Sequence, residues 1–218
     1  MNRLIAENIC KTIKKSTILD NISLSLEGGK IYGIVGKNGS GKTMLIRALS
    51  GLMDIDSGEI SYNGSILHKD LPVLPSLGIT IENAGLYPEF TGLVNLKMLS
   101  KLKKLIGDDE IKQAIQRVGL DPNDKRTVRK YSLGMKQRII IAQAIMERPD
   151  VIMVDEPTNG LDTDGTELIR TILKQEKERG AMILLASHSK DDIALLADEV
   201  FSISAGKLTY TDVSMKKE

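Results

Sequence analysis

One cysteine, Cys10, stands in the 218 residues, which excludes an internal disulfide and suits a reducing compartment. Long apolar runs are missing too. The longest, such as Met182 to Ala186, fall far short of the roughly 20 residues that span a bilayer as a helix. The opening Met1-Asn2-Arg3-Leu4-Ile5 holds no apolar stretch of signal-peptide length. Charge of one sign is absent as well: the formal net charge is +1, so bulk electrostatics point to no nucleic-acid partner. The basic runs at Lys11 to Lys15 and Lys101 to Lys104 read as solvated surface lysines. What remains is a cytoplasmic chain that does not cross a membrane by itself but can dock on something that does.

What is present is a globular composition. Hydrophobic residues make 41% and charged residues 27%, with length enough for one buried core, or one core with a small subdomain. The first third reads as strands. Ile22, Leu24 and Leu26 alternate with Ser23 and Ser25, and Ile31 to Val35 is a short apolar strand after the Gly28-Gly29 turn. Lys42 to Leu49 has helical spacing and stops at Gly51, and Glu59 to Tyr62 is a strand closed by Asn63-Gly64. The middle changes character. Leu93 to Ile106 and Asp109 to Val118 are expected helices separated by Gly107, and Ser132 caps a third that runs through Glu147. Nothing from Pro88 to Lys130 alternates like a strand, so this stretch is a helical insert. The last third alternates: strand Val151 to Val154, helix Asp164 to Arg179, strand Met182 to Ala186, helix Asp191 to Ala197, then a hairpin of Val200 to Ile203 and Leu208 to Thr211. Short apolar strands interleaved with helices predict an α/β fold with a mainly parallel sheet covered on both faces.

Two segments carry chemistry. Gly36-Lys37-Asn38-Gly39-Ser40-Gly41-Lys42-Thr43 fills every fixed position of G-x-x-x-x-G-K-[ST]. Its glycines allow backbone N–H groups to turn inward around a phosphate, and the following helix adds its positive end. Lys42 can reach the terminal phosphates of ATP, and the Thr43 hydroxyl can ligate Mg²⁺. The bland alternative is a glycine-rich turn that binds nothing. The second segment is the apolar strand Val151-Ile152-Met153-Val154 ending in Asp155-Glu156. At the carboxyl edge of a parallel sheet, Asp155 can hold the metal and Glu156 can take a proton from an attacking water.

Further motifs follow in order: Tyr131-Ser132-Leu133-Gly134-Met135 before Lys136-Gln137-Arg138, then Asp155 through Asp162, then Ala186-Ser187-His188-Ser189. With these the chain resembles the ATP-binding cassette (ABC) ATPases, the nucleotide-binding subunits of ABC transporters, over nearly its whole length. The resemblance implies a P-loop fold of ABC type with an antiparallel β subdomain and a helical subdomain at about 83–149, the core being 1–82 and 150–218. It implies a head-to-tail homodimer in which ATP is sandwiched between one phosphate loop and the partner's signature. Ser132, Gly134 and Met135 would then act in trans, Asp162 would belong to the loop at the dimer seam, and His188 would contact the γ-phosphate. A membrane-spanning subunit would be the other partner, with the chain peripheral on the inner face of the cell membrane.

Departures from the family pattern suggest the subtype. The usual signature is LSGGQ, so Ser132 and Gly134 match while Tyr131, Leu133 and Met135 do not. Glu82 stands where a metal-ligating glutamine is usual, and this, with Ser-Leu-Gly-Met, is similar to the bacitracin and lantibiotic export and immunity branch. Ile13 occupies the position where the family commonly stacks an aromatic on adenine. The competing expectation is a soluble ABC-type ATPase acting as a mechanical switch in translation or DNA maintenance. A single cassette with no long coiled-coil insert counts against it. A nucleotide sensor that binds ATP without turnover is a third.

Overall fold

The computed structural model describes residues 2–81 and 85–211. Strands β1 (Arg3–Ile13) and β2 (Ser16–Glu27) form an antiparallel hairpin, and β3 (Ile31–Val35) leads into helix α1 (Lys42–Ser50). Strands β4 (Ser57–Tyr62) and β5 (Ser65–Ile66) join the hairpin in a sheet of order β2-β1-β4-β5. After β6 (Leu77–Thr80) come helices α2 (Gly92–Lys103), α3 (Asp108–Arg117) and α4 (Leu133–Ile145). The remainder alternates: β7 (Val151–Asp155), α5 (Thr163–Glu178), β8 (Met182–Ala186), α6 (Lys190–Leu196), β9 (Glu199–Ser204) and β10 (Lys207–Thr211).

The second sheet has the order β10-β9-β3-β8-β7-β6. Every pair in it is parallel except the closing β9–β10 hairpin. Its central strands are apolar on both faces because both faces are covered. Val151 and Met153 point into a cluster with Leu45, Ile46 and Leu49 of α1 and the small sheet. Ile152 and Val154 point the other way, into a cluster with Ile139 and Ile145 of α4 and Ile169 and Leu173 of α5. The strand's two-residue period thus divides one run of hydrophobic residues between two cores. Helix α1 lies between the two sheets, and burying each of its large aliphatic side chains is worth about 1.5–3 kcal/mol.

Caps shift the expected helix ends by a few residues. Thr91 Oγ1 accepts from the Val94 N–H at 3.3 Å, so α2 starts at Gly92, and it stops at Lys103 because Lys104 turns left-handed with φ 55°. In α3 the Glu110 carboxylate accepts from the Gly107 N–H at 3.0 Å, which starts the helix at Asp108. α4 ends at Ile145 rather than Glu147. No strand occurs among the described residues from α2 to α4, and none of the described helices is long and apolar enough to cross a membrane.

Candidate active site

The turn from β3 into α1 shapes the phosphate loop. Gly41, the residue before α1, has φ 112°, a conformation that side chains rarely adopt. A Cβ on Gly36 would lie 2.6 Å from Ser40 Oγ and would also strike the Ile203 carbonyl oxygen, so the loop closes this tightly only with glycine there. Lys37, Asn38 and Gly39 form the exposed rim, and Ser40 N–H donates to Lys37 O at 3.1 Å. Lys42 is buried and its Nζ donates to Gly36 O at 2.8 Å and Lys37 O at 3.4 Å. The ammonium is therefore held by the loop's own carbonyls.

Thr43, the second residue of α1, donates from Oγ1 to Asp155 Oδ2 at the end of β7, at 2.5 Å. The Asp155 N–H in turn donates to Thr80 Oγ1 at 3.3 Å, which ties the end of β7 to its neighbour β6. A hydroxyl and a carboxylate oxygen brought together in this way are the hard donors that Mg²⁺ takes. Among the described residues no cluster of three or more His, Cys, Asp or Glu could hold a metal alone. A magnesium ion that leaves most of its positions to phosphate and water fits such a sparse set. Glu82, the other expected metal ligand, lies outside the described residues.

Glu156 continues β7 by one residue and is forced to φ 50° while its N–H still donates to Ala186 O at 2.9 Å. A left-handed non-glycine residue at a strand end is a strained, aimed position. Its carboxylate accepts the His188 N–H at 3.0 Å, lies 2.7 Å from His188 Nδ1, and receives Ser187 Oγ at 3.4 Å. Its backbone carbonyl accepts Gln137 Nε2 from α4 at 3.1 Å, as does that of Pro157. The structure thus brings together Lys42, Thr43, Asp155, Glu156 and His188. His188 joins the others through its contacts with Glu156, and the first four border a cleft of about 550 Å³ that is also lined by Ile18, Met44 and Arg47.

Those last three residues were not singled out from the sequence. Arg47 follows Thr43 by one helical turn, the only local signal that the two share a face. Ile13 is not among the residues lining this cleft; it ends β1, about 37% exposed.

Ser132 caps α4, its Oγ accepting from the Met135 N–H at 3.1 Å. With Leu133, Gly134, Met135, Arg138, Gly160 and Asp162 it lines a second cleft of about 430 Å³. The two clefts share no lining residue. Leu133 is 67% exposed at the mouth of the second one. Asp162 caps α5 by accepting from the Gly165 N–H at 2.9 Å and pairs with Arg138 at 3.2 Å.

Residues 19–159 match the family model described as ABC transporter. The ABC transporter ATP-binding protein YybJ of Bacillus subtilis (strain 168) is 50% identical over 212 residues, covering 97% of each chain. The lantibiotic transport ATP-binding protein SrtF of Streptococcus pyogenes is 35% identical, over 93% of this chain and 87% of that one. The bacitracin transport ATP-binding protein BcrA of Enterococcus faecalis is 36% identical, over 93% of this chain and 66% of that one. Among solved structures, the dimeric post-hydrolysis ATP-binding cassette MJ0796 bound to ADP and Pi superposes with a TM-score of 0.84 at 20% identity. That match covers 95% of this chain and 98% of that one. An ATP-binding subunit of an ABC transporter superposes with a TM-score of 0.85 at 24% identity, covering 96% and 90%. At these identities the structural likeness speaks for the fold.

Proposed function

The chain belongs to the ABC transporter family of ATPases, and on that premise we propose that it is the ATP-hydrolysing subunit that drives a separate membrane-spanning exporter. The observation that carries this is the convergence of Lys42, the Thr43–Asp155 pair and Glu156, itself held by His188, on one cleft. In the proposed reaction a water attacks the γ-phosphorus of ATP, Glu156 accepts its proton, the bond to the β–γ bridging oxygen breaks, and ADP and phosphate leave. Lys42 and the loop N–H groups offset phosphate charge, and His188 orients both Glu156 and the γ-phosphate. Thr43, Asp155 and Glu82 would hold Mg²⁺, which supplies charge neutralisation on the β- and γ-phosphates when bound.

Ser132 and Gly134 line a cleft apart from the phosphate loop, which supports their acting on ATP held by a second copy of the chain. We take the family's head-to-tail dimer as the working assembly, with Asp162 at its seam. The helical subdomain at about 83–149 is the part proposed to face the membrane subunit. Its helix α2 supports this, since Val94, Met98 and Leu102 form an exposed apolar stripe on the face opposite buried Leu96. The chain would then be peripheral on the inner face of the membrane. The names of SrtF and BcrA favour a peptide antibiotic as the exported class.

The test is phosphate release from ATP by the purified chain and by Lys42→Ala, together with co-purification of a membrane subunit. Turnover in the wild type that is lost in Lys42→Ala, with a polytopic protein retained on the column, is expected. Equal turnover in both proteins would refute the assignment of the loop.

A further inference from the structure

Asp192 carries no role in the account above, yet it is a completely buried carboxylate. A buried charge costs several kcal/mol unless it is paired and hydrogen-bonded, and Asp192 is paired on both oxygens. Oδ1 accepts from Arg170 Nε at 2.8 Å and Nη2 at 2.6 Å, a two-pronged guanidinium grip from α5. Oδ2 accepts from Thr158 Oγ1 at 2.5 Å. Arg170 is itself pinned by Glu167 on the same helix.

The location of the three groups gives the network its meaning. Thr158 lies in the double turn that follows Glu156, in which the Asn159 N–H donates to Glu156 O at 3.2 Å and the Leu161 N–H to Thr158 O at 3.2 Å. Two and four residues further on are Gly160 and Asp162, which line the Ser132 cleft. Asp192 belongs to the first turn of α6, whose cap is Ser189, the neighbour of His188; Ser189 Oγ accepts from the Asp192 N–H at 3.2 Å. The Thr158–Asp192 bond therefore adds to the direct Glu156–His188 contacts a second link, between the turn after Glu156 and the helix after His188, and Arg170 fixes that joint to α5.

We infer that Asp192 is a positioning residue: through Thr158 and Arg170 it holds the turn after Glu156 at a set distance from the His188 loop. Glu156 is the residue that needs such support, because it holds a left-handed conformation at a strand end. Without the joint, the turn keeps its links to α4 through Gln137 and Arg138 but loses its link to α6, and the carboxylate loses its alignment before it loses its environment. This inference rests on the proposed role of Glu156.

Changing Asp192 itself would strand the Arg170 charge and could unfold the chain, so the test is made at Thr158. Thr158→Val keeps the shape and removes the donor; Thr158→Ser keeps the donor. Steady-state phosphate release, ATP affinity and thermal melting are measured on the full chain. Thr158→Val is expected to lower kcat by about tenfold or more with KM for ATP within about twofold, and Thr158→Ser to restore most of the rate. An unchanged kcat in Thr158→Val overturns the inference. So does a fall in ATP affinity that matches the fall in rate, which would make the bond a plain support of the fold. If instead Glu156→Gln turns over like wild type, the reading of Glu156 fails first, whatever Thr158 does.

Discussion

His188 and Glu156 hold each other at two points: the histidine's backbone N–H donates to one carboxylate oxygen at 3.0 Å, and its ring Nδ1 lies 2.7 Å from the other. A carboxylate held by backbone and ring together is aimed before any substrate arrives, which is the preorganisation that the role proposed for Glu156, a general base, requires.

Replacing Glu156 by Gln keeps an oxygen acceptor for the His188 N–H and removes the proton acceptor. ATP binding should persist while turnover falls by about two to four orders of magnitude, the usual worth of a general base. The same variant should accumulate as an ATP-dependent dimer. Size-exclusion chromatography with and without ATP, beside a phosphate-release assay, measures both; wild-type turnover would remove Glu156 from its role.

The Thr43–Asp155 contact makes a second prediction, about metal. Chelation with EDTA is expected to abolish phosphate release and added Mg²⁺ to restore it. In Asp155→Asn one donor loses its charge, so the Mg²⁺ concentration for half-maximal rate should rise at least about tenfold, a difference of about 1.4 kcal/mol. A Mg²⁺ titration unchanged by the substitution would place the metal elsewhere.

How much of this was legible in the sequence differs from one element to the next. Helix α1 was, because its apolar spacing and Gly51, at φ 82°, mark the same stop. Strand β1 was not marked, because its alternation slips: Leu4 and Ala6 are buried, then Asn8 at φ 51° interrupts the pairing and Ile9 takes the inward place. The phosphate loop and Asp155-Glu156 could be read because their chemistry lies in contiguous residues. Ile18 joins the cleft only through the fold. Asp192 could not be read at all, since its partners are 22 and 34 residues away and a lone aspartate in a helix's first turn looks like a simple dipole match.

Acid should loosen the segment that leads into the signature. The Arg126 side chain, and then its backbone N–H, hold the Asp124 carboxyl below the usual carboxylate range. Arg126 also lies over the Tyr131 ring at 5.9 Å. A depressed folded-state pKa contributes stability that is present above the unfolded value of about 3.9 and lost as pH falls through the lower folded value. Stability should therefore drop below about pH 4, and Asp124→Asn should remove part of that drop, leaving the shares of Asp56 and Asp108, which are likewise held low. Urea unfolding from pH 7 to pH 3 checks the sign.

The residue we propose to meet the base is Ile13. Lys14 and Lys15, at φ 47° and 70°, make the tight two-residue turn between β1 and β2, so Ile13 sits opposite Ser16 at the hairpin's end. There it is about 37% exposed, open to a planar ligand but able to offer only an aliphatic edge. Stacking on an aromatic is worth about 1–3 kcal/mol per base in nucleic-acid complexes, and an isoleucine forgoes most of it. Contacts to the phosphates do not distinguish adenine from guanine, so ATP and GTP should bind with nearly equal affinity. Ile13→Tyr should tighten both by roughly 5- to 100-fold if the ring meets the base, and by nothing if the base lies elsewhere. Calorimetric titration of the wild type and the variant with each nucleotide separates the two results, and a strong preference of the wild type for ATP would show that another residue reads the base.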